Sequence, residues 1–259
     1  MAWTPVTLQR HATCSWRRFT SFSFAARQGT APLVAAEIAA ALLALPLAFE
    51  PFGAQGQERR YRLVALLALQ PEQNAFVTTT GQWRGGYVPS AFRSYPFGLL
   101  RLQGVDQPVL AVAEDSGLLL PQRGAGEAFF TAEGELAPAV VDVLKFLRQV
   151  EENRCQTQAA VDALARSGVL VPWVLPAVAE AADGAARQDL FRVDAERLNT
   201  LDDAAFLQLR RCGALAIAWG QLYSMGMVSV VRRLSRPLDP SAGEERKTAQ
   251  FDKDDLFHF

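Results

Sequence analysis

Trp83, Tyr87 and Tyr95 alternate with Arg84 and Arg93 in the stretch GQWRGGYVPSAFRSYPFGLL, residues 81–100. Aromatic faces stack on planar groups and guanidinium forks hold carboxylate or phosphate, so this set suits a pocket for a ring-bearing or anionic ligand. Gly85 and Gly86 permit close backbone approach or a positive φ, while Pro89 and Pro96 stiffen the chain after the glycines. The same residues also suit a rigid turn that closes a sheet edge by aromatic packing, which is the simpler expectation. Further along, AEDSG (113–117) leaves a strand end with two carboxylates, Glu114 and Asp115. Neighbours on an extended chain face opposite ways, so these two cannot share a proton. Either could serve as a single acceptor for a ligand or for Arg93. These residues, Trp83 to Tyr87 with Arg93, Tyr95, Glu114 and Asp115, form the candidate ligand- or partner-binding set.

Other chemistries find few residues to carry them. The only histidines are His11 and His258, one near each end, so a His-based triad or zinc site would need a terminal residue. Cys14, Cys155 and Cys212 are widely spaced and odd in number, which excludes a full disulfide framework and indicates a reducing compartment. No Walker loop, Rossmann glycine pattern or metal-ligand cluster occurs. Asn199 and Asp202 in LNTLDD are explained by helix capping. No catalytic residue, metal or cofactor is therefore assigned. With a net charge of -1 over 259 residues, no global field draws the chain to nucleic acid. Lysine occurs only at 145, 247 and 253, leaving 26 − 3 = 23 arginines, a bias that would suit an anion site but that a GC-rich genome explains more simply.

Two segments raise the question of a membrane. Arg17-Arg18 precede an apolar run at 31–49, as in an export signal, but Thr20, Glu37 and Pro46 each break that pattern. Ala35 to Leu45 reads instead as a short helix stopped by Pro46, with a strand-like PLAF after it. CGALAIAWGQLYSMGMVSVV (212–231) is uncharged and bracketed by Arg210-Arg211 and Arg232-Arg233. Its glycines, serines and Gln221 favour a buried core helix over a transmembrane span. A cytoplasmic location is expected, with export as the alternative.

Periodicity gives the framework around the candidate residues. Residues 1–30 read as an extended arm, with FTSFSF strand-like by its period of two. Strands are expected at 61–69 and 108–116, shorter ones at 127–136 and 189–194, and a hairpin turn at Thr80-Gly81. A helix of nearly 30 residues runs from Pro138 to Gly168, and a second long helix starts at Asp202 or Asp203. Strands first and helices second give an α+β fold: a mixed or antiparallel sheet from the N-terminal half packed by two long helices from the C-terminal half. One domain spans 1–235. Beyond it, SRPLDPSAGEERKTAQ is a polar linker, and FDKDDLFHF alternates Phe251, Leu256, Phe257 and Phe259 with aspartates that include Asp254 and Asp255. That alternation suits a docking motif.

Across residues 16–228 the chain resembles the SapC family. The resemblance is carried by Gly85-Gly86-Tyr87-Val88-Pro89, Tyr95-Pro96-Phe97, Glu114-Asp115-Ser116, and Arg192-Val193-Asp194 with Leu198-Asn199. The family takes its name from a bacterial surface-layer-associated protein. Its members are encoded near proteins resembling flavin-dependent tryptophan halogenases and cupin-type iron oxygenases. The resemblance therefore implies a shared pathway, with a halogenase-like flavoprotein among the candidate partners. The expected function is a non-catalytic accessory protein that binds a protein or peptide; the alternatives are a ligand-binding subunit or enzyme with an aromatic–arginine pocket, and a surface-layer component.

Overall fold

LVALLAL, residues 63–69, carries no polar side chain, and every one of its residues is at most 2% exposed. A run this apolar must be covered on both faces, so it lies at the centre of the fold. The computed structural model describes residues 2–53, 59–70, 72–175 and 189–235. In chain order they form β1 (Trp3–Pro5), α1 (Leu8–His11), β2 (Ser15–Trp16), β3 (Thr30–Pro32), α2 (Ile38–Ala41), β4 (Leu47–Phe52), β5 (Arg60–Leu66), α3 (Ser90–Arg93), β6 (Phe97–Leu100) and β7 (Val109–Ala113). Then come β8 (Leu119–Leu120), β9 (Glu127–Ala128), α4 (Pro138–Arg166), β10 (Leu170–Pro172), β11 (Phe191–Val193), α5 (Ala195–Asn199), α6 (Asp203–Arg211), α7 (Ala214–Ser224) and α8 (Val228–Ser235).

The fold is α+β, and all strand pairs are antiparallel. The strands form three sheets rather than one: β10-β11-β4-β5-β3, β1-β7-β6 and β8-β2-β9. The first thirty residues are not an arm. They supply β1, which pairs with β7, β2, which pairs with β8 and β9, and β3, which edges the main sheet. FTSFSF forms no strand; it turns through a 3₁₀ segment at Ser23–Ala25. Its period of two reflects rings packed on other rings, with Phe19, Phe22 and Phe24 in mutual contact.

α4 is unbroken over 29 residues, about 43 Å at the helical rise. Pro138 opens it and Gly168, at φ 71°, lies just past its end. Its two halves serve different cores. Val140, Val143 and Leu147 pack with Trp16, Phe97, Leu110, Val112 and Phe129. Ala160, Val161, Ala163 and Leu164 pack with the main sheet. The second helical stretch is jointed rather than continuous. Asp202 accepts a bond from Ala205 N at 2.8 Å to start α6, and Gly213 then takes φ 74°, a left-handed conformation that ends one helix before α7 begins.

α7 also differs from the expected core helix. Gly220 abuts Ile38, and Gln221 bridges the margin of the sheet: its Oε1 accepts from Val193 N at 2.9 Å and its Nε2 donates to Leu47 O at 3.3 Å. Ser224 Oγ accepts from Leu47 N at 2.9 Å. The outer side of the same helix is open. Ala214–Ser235 is long and apolar enough to cross a bilayer by length and composition, yet only 39% of its most apolar stretch is buried.

Candidate functional site

Residues 81–100 lie where the main core meets the smaller one, and a buried carboxylate fastens them there. Glu37 stands in the 3₁₀ turn Ala35–Glu37, and its side chain is fully buried. Oε2 accepts from Val34 N at 3.0 Å and from Ser90 Oγ at 2.7 Å; Oε1 accepts from Ser90 N at 2.6 Å and from the Tyr87 hydroxyl at 2.8 Å. A carboxylate has about four lone-pair sites, so Glu37 is saturated by protein donors. Arg93, 5% exposed, donates Nε to Val88 O at 2.9 Å and Nη2 to the Tyr87 hydroxyl. Its guanidinium also sits 4.9 Å from the Tyr87 ring centroid. Burial, reinforced by the Glu37 charge, pushes the Tyr87 hydroxyl far above the usual tyrosine range, which keeps it a donor.

The other residues of the stretch are similarly engaged. Trp83 is 4% exposed, stacks on Phe76 at 5.5 Å and donates Nε1 to Tyr87 O at 3.0 Å. Arg84 Nη2 donates to Ala75 O at 2.5 Å and to Leu234 O at 3.0 Å, tying the end of α8 to the stretch. Gly85 is required by space: a Cβ would lie 2.7 Å from Trp83 Nε1 and 2.9 Å from Phe76 Cδ1. Gly86 is exposed, and a Cβ there would meet only Ala44 at 3.6 Å. Tyr95 stacks on Phe24 with ring centroids 3.9 Å apart. Burial, with the Asp115 charge, raises its hydroxyl above the ordinary value.

Glu114 and Asp115 stand in a 3₁₀ turn, Glu114–Ser116, not on extended chain. Arg10, not Arg93, takes Glu114: Nε and Nη2 reach its two oxygens at 2.6 and 2.7 Å. This bidentate bond holds the Glu114 carboxyl below its usual range. Asp115 accepts from Ala2 N at 3.2 Å, so both acids fasten the N-terminal segment. His11, 1% exposed, has Nε2 3.7 Å from Glu114 Oε1 and no hydrogen bond at that nitrogen. Burial pushes its pKa down.

One opening adjoins the stretch, a depression of about 240 Å³ that includes open solvent. Trp16, Arg18, Phe19, Arg93, Ser94, Tyr95, Phe97 and Val143 line it. Trp16 is 2% exposed, and its Nε1 has no acceptor among the described residues. Arg18 Nε is engaged by Glu127 at 2.8 Å. Among the described residues no three His, Cys, Asp or Glu side chains gather to hold a metal ion.

Sequence reasoning missed Glu37 as a hub and treated it only as a break in an apolar run. That break was the signal, because a lone carboxylate among small apolar residues must find donors when buried. His11 and Arg10 were missed as well, since their partner lies 104 residues away from Arg10. The tail residues Phe251, Asp254, Asp255, Leu256, Phe257 and Phe259 lie outside the described residues.

Searches of curated proteins and of solved structures returned no match. The family comparison did return one, described as SapC and covering residues 6–230, which takes in the smaller core, the main core up to Val228, the Glu37 network and the Arg10–Glu114 clamp. The chain belongs to the SapC family.

Proposed function

We propose that the protein is a non-catalytic accessory protein that binds a protein or peptide partner through the outer face of α7 and α8. The observation that carries this reading is the aromatic pair on that face. Tyr223 is 70% exposed and stacks on the half-buried Trp219 with ring centroids 6.0 Å apart. Ala216, Met227 and Val230 extend the pair into a stripe at helical spacing, and all five residues are exposed or half-buried. Apolar stripes with aromatic anchors mark interaction surfaces. The residues of 81–100 support the reading indirectly, because Trp83, Tyr87 and Arg93 spend their hydrogen bonds on the fold, as does Glu37, which fastens them. Flavin-dependent halogenase-like and cupin-type oxygenase-like proteins are the candidate partners.

The test is co-purification of the full-length protein with such candidates, read by native mass spectrometry. A stoichiometric complex that Tyr223→Asp abolishes, without loss of thermal stability, is the expected result. A complex indifferent to Tyr223→Asp would move the interface elsewhere.

A further inference from the structure

The helical stretch α7–α8 carries two seams of the same period. Ile217, Gln221, Ser224, Val228 and Val231 are buried and face the fold, at spacings of 4, 3, 4 and 3 residues. Ala216, Trp219, Tyr223, Gly226, Val230 and Arg233 are exposed or half-buried and keep a 3, 4, 3, 4, 3 order on the other side. A seam only two positions wide in every seven is the pattern that a second helix covers. Sizes along the outer seam differ in a useful way. Trp219 and Tyr223 stand out as a stacked pair, whereas Ala216 and Gly226 on either side are small, and a Cβ on Gly226 would meet nothing within 4 Å. Charge marks both ends. Arg210 and Arg211 precede the seam, Arg232 and Arg233 end it, all four are exposed, and residues 210–235 contain no acidic side chain. Among the described residues none of the four is engaged in an ion pair.

We propose that the partner segment this face takes is an amphipathic helix with carboxylates at both ends of an apolar seam. The inference rests on the reading of that face as the partner-binding surface. A second copy of this chain is disfavoured: laid parallel or antiparallel, it sets arginine pairs over arginine pairs at both ends. An extended strand is disfavoured too, because a helix already pairs its own N–H and C=O groups and offers no edge to extend. A helix crossing at about 20° instead sets large side chains into the gaps at Ala216 and Gly226 and small ones against the two rings. Ala214 to Arg232 is 232 − 214 = 18 residues of one helical stretch, about 27 Å. The two carboxylate groups of the partner helix therefore lie about five turns apart.

Fluorescence anisotropy of a labelled synthetic helical peptide, titrated with the full-length protein at low salt, tests this. The probe carries Glu clusters at both ends of a Leu/Ala seam; one control replaces the Glu with Lys, another the seam Leu with Ser. The expected result is binding of the Glu-ended peptide at least about tenfold tighter than either control. Tyr223→Asp should weaken it about tenfold with the thermal midpoint unchanged. Arg232→Glu/Arg233→Glu should also weaken it, and a peptide with Lys at one end only should bind that variant again, which a merely structural arginine pair would not allow. Equal binding of the Glu-ended and Lys-ended peptides, or no binding of either, overturns the proposal. Sedimentation with phosphatidylserine vesicles that needs Tyr223 while the peptide stays unbound also overturns it, and identifies a lipid surface as the occupant. Complex formation with the candidate partners is measured separately, so a complex that needs Tyr223 while the Glu-ended peptide stays unbound fails this inference alone. Peptide binding at Tyr223 with no complex from any candidate fails the partner reading alone.

Discussion

Glu37 Oε1 and Arg93 Nη2 stand 3.9 Å apart, too far for a direct hydrogen bond, and the Tyr87 hydroxyl joins them by donating to the first and accepting from the second. The pair is 0% and 5% exposed at the side chain, so neither charge has water to fall back on. Removing the linker is therefore costly. Tyr87→Phe should lower unfolding free energy by about 1–3 kcal/mol, the usual penalty for leaving buried polar groups unpaired. Glu37→Ala should cost more, on the order of 3–5 kcal/mol, because it leaves the buried donors Val34 N, Ser90 N, Ser90 Oγ and the Tyr87 hydroxyl without their shared acceptor. Denaturant unfolding of both variants and of Glu37→Ala/Arg93→Ala checks this. Additive losses in that double variant would show that the pair is not coupled.

Gly85 and Gly86 are neighbours with different reasons to be glycine. A methyl at 85 would collide with the Trp83 and Phe76 rings, neither of which can swing away from its stack. Gly85→Ala should cost about 1–3 kcal/mol as overpacking. Gly86→Ala meets ordinary contact only, and its effect should stay within about 0.5 kcal/mol. Thermal or denaturant midpoints of the two single variants, compared side by side, decide it; equal effects would refute the steric account.

β5, β7, β11 and α4 were legible because their signals are local. The apolar run at 63–69 and the apolar face from Val140 to Leu164 need no distant partner to be read. The jointed second helix was hidden because glycine can sit inside a helix at modest cost, and only the φ of Gly213 reveals the break. β1 and β2 were hidden because their partners lie more than a hundred residues away, as Trp3 with Ala113 and Ser15 with Leu120 show. At the site, the sequence offered Trp83, Arg84 and Arg93 as a possible surface. Their partners are backbone carbonyls of Tyr87, Ala75, Leu234 and Val88, which no pattern of side-chain types reports.

Gly220 sets how closely α7 approaches α2. A Cβ there would lie 2.4 Å from Ile38 Cγ2. Alanine is favoured over glycine inside a helix by about 1 kcal/mol, but overpacking costs about 1–3 kcal/mol, so the clash should win. Gly220→Ala should therefore destabilise, and Ile38→Ala in the same chain should recover part of the loss. A double variant no better than the sum of its singles would place the strain elsewhere.

Acid should loosen the N-terminal clamp in two stages. His11 is held below its ordinary value of 6.5, chiefly by burial, with the Thr7 carbonyl and Glu114 opposing and Arg10 assisting. The unfolded chain then binds the proton first, so stability falls as pH drops below about 6.5 and continues to fall until the folded pKa is passed. Glu114 is held below its ordinary 4.5, chiefly by the Arg10 bond, so its contribution is full above that value and is lost as pH falls through the folded pKa. The groups around the His11 ring are Thr7, Arg10, Glu114 and Phe129, and none of the others titrates near pH 6. His11→Phe should erase the upper stage and leave the lower one, whereas Arg10→Met should weaken the lower stage. Denaturant midpoints measured from pH 8 to pH 2 separate the two; an upper stage that survives in His11→Phe would assign it to another group.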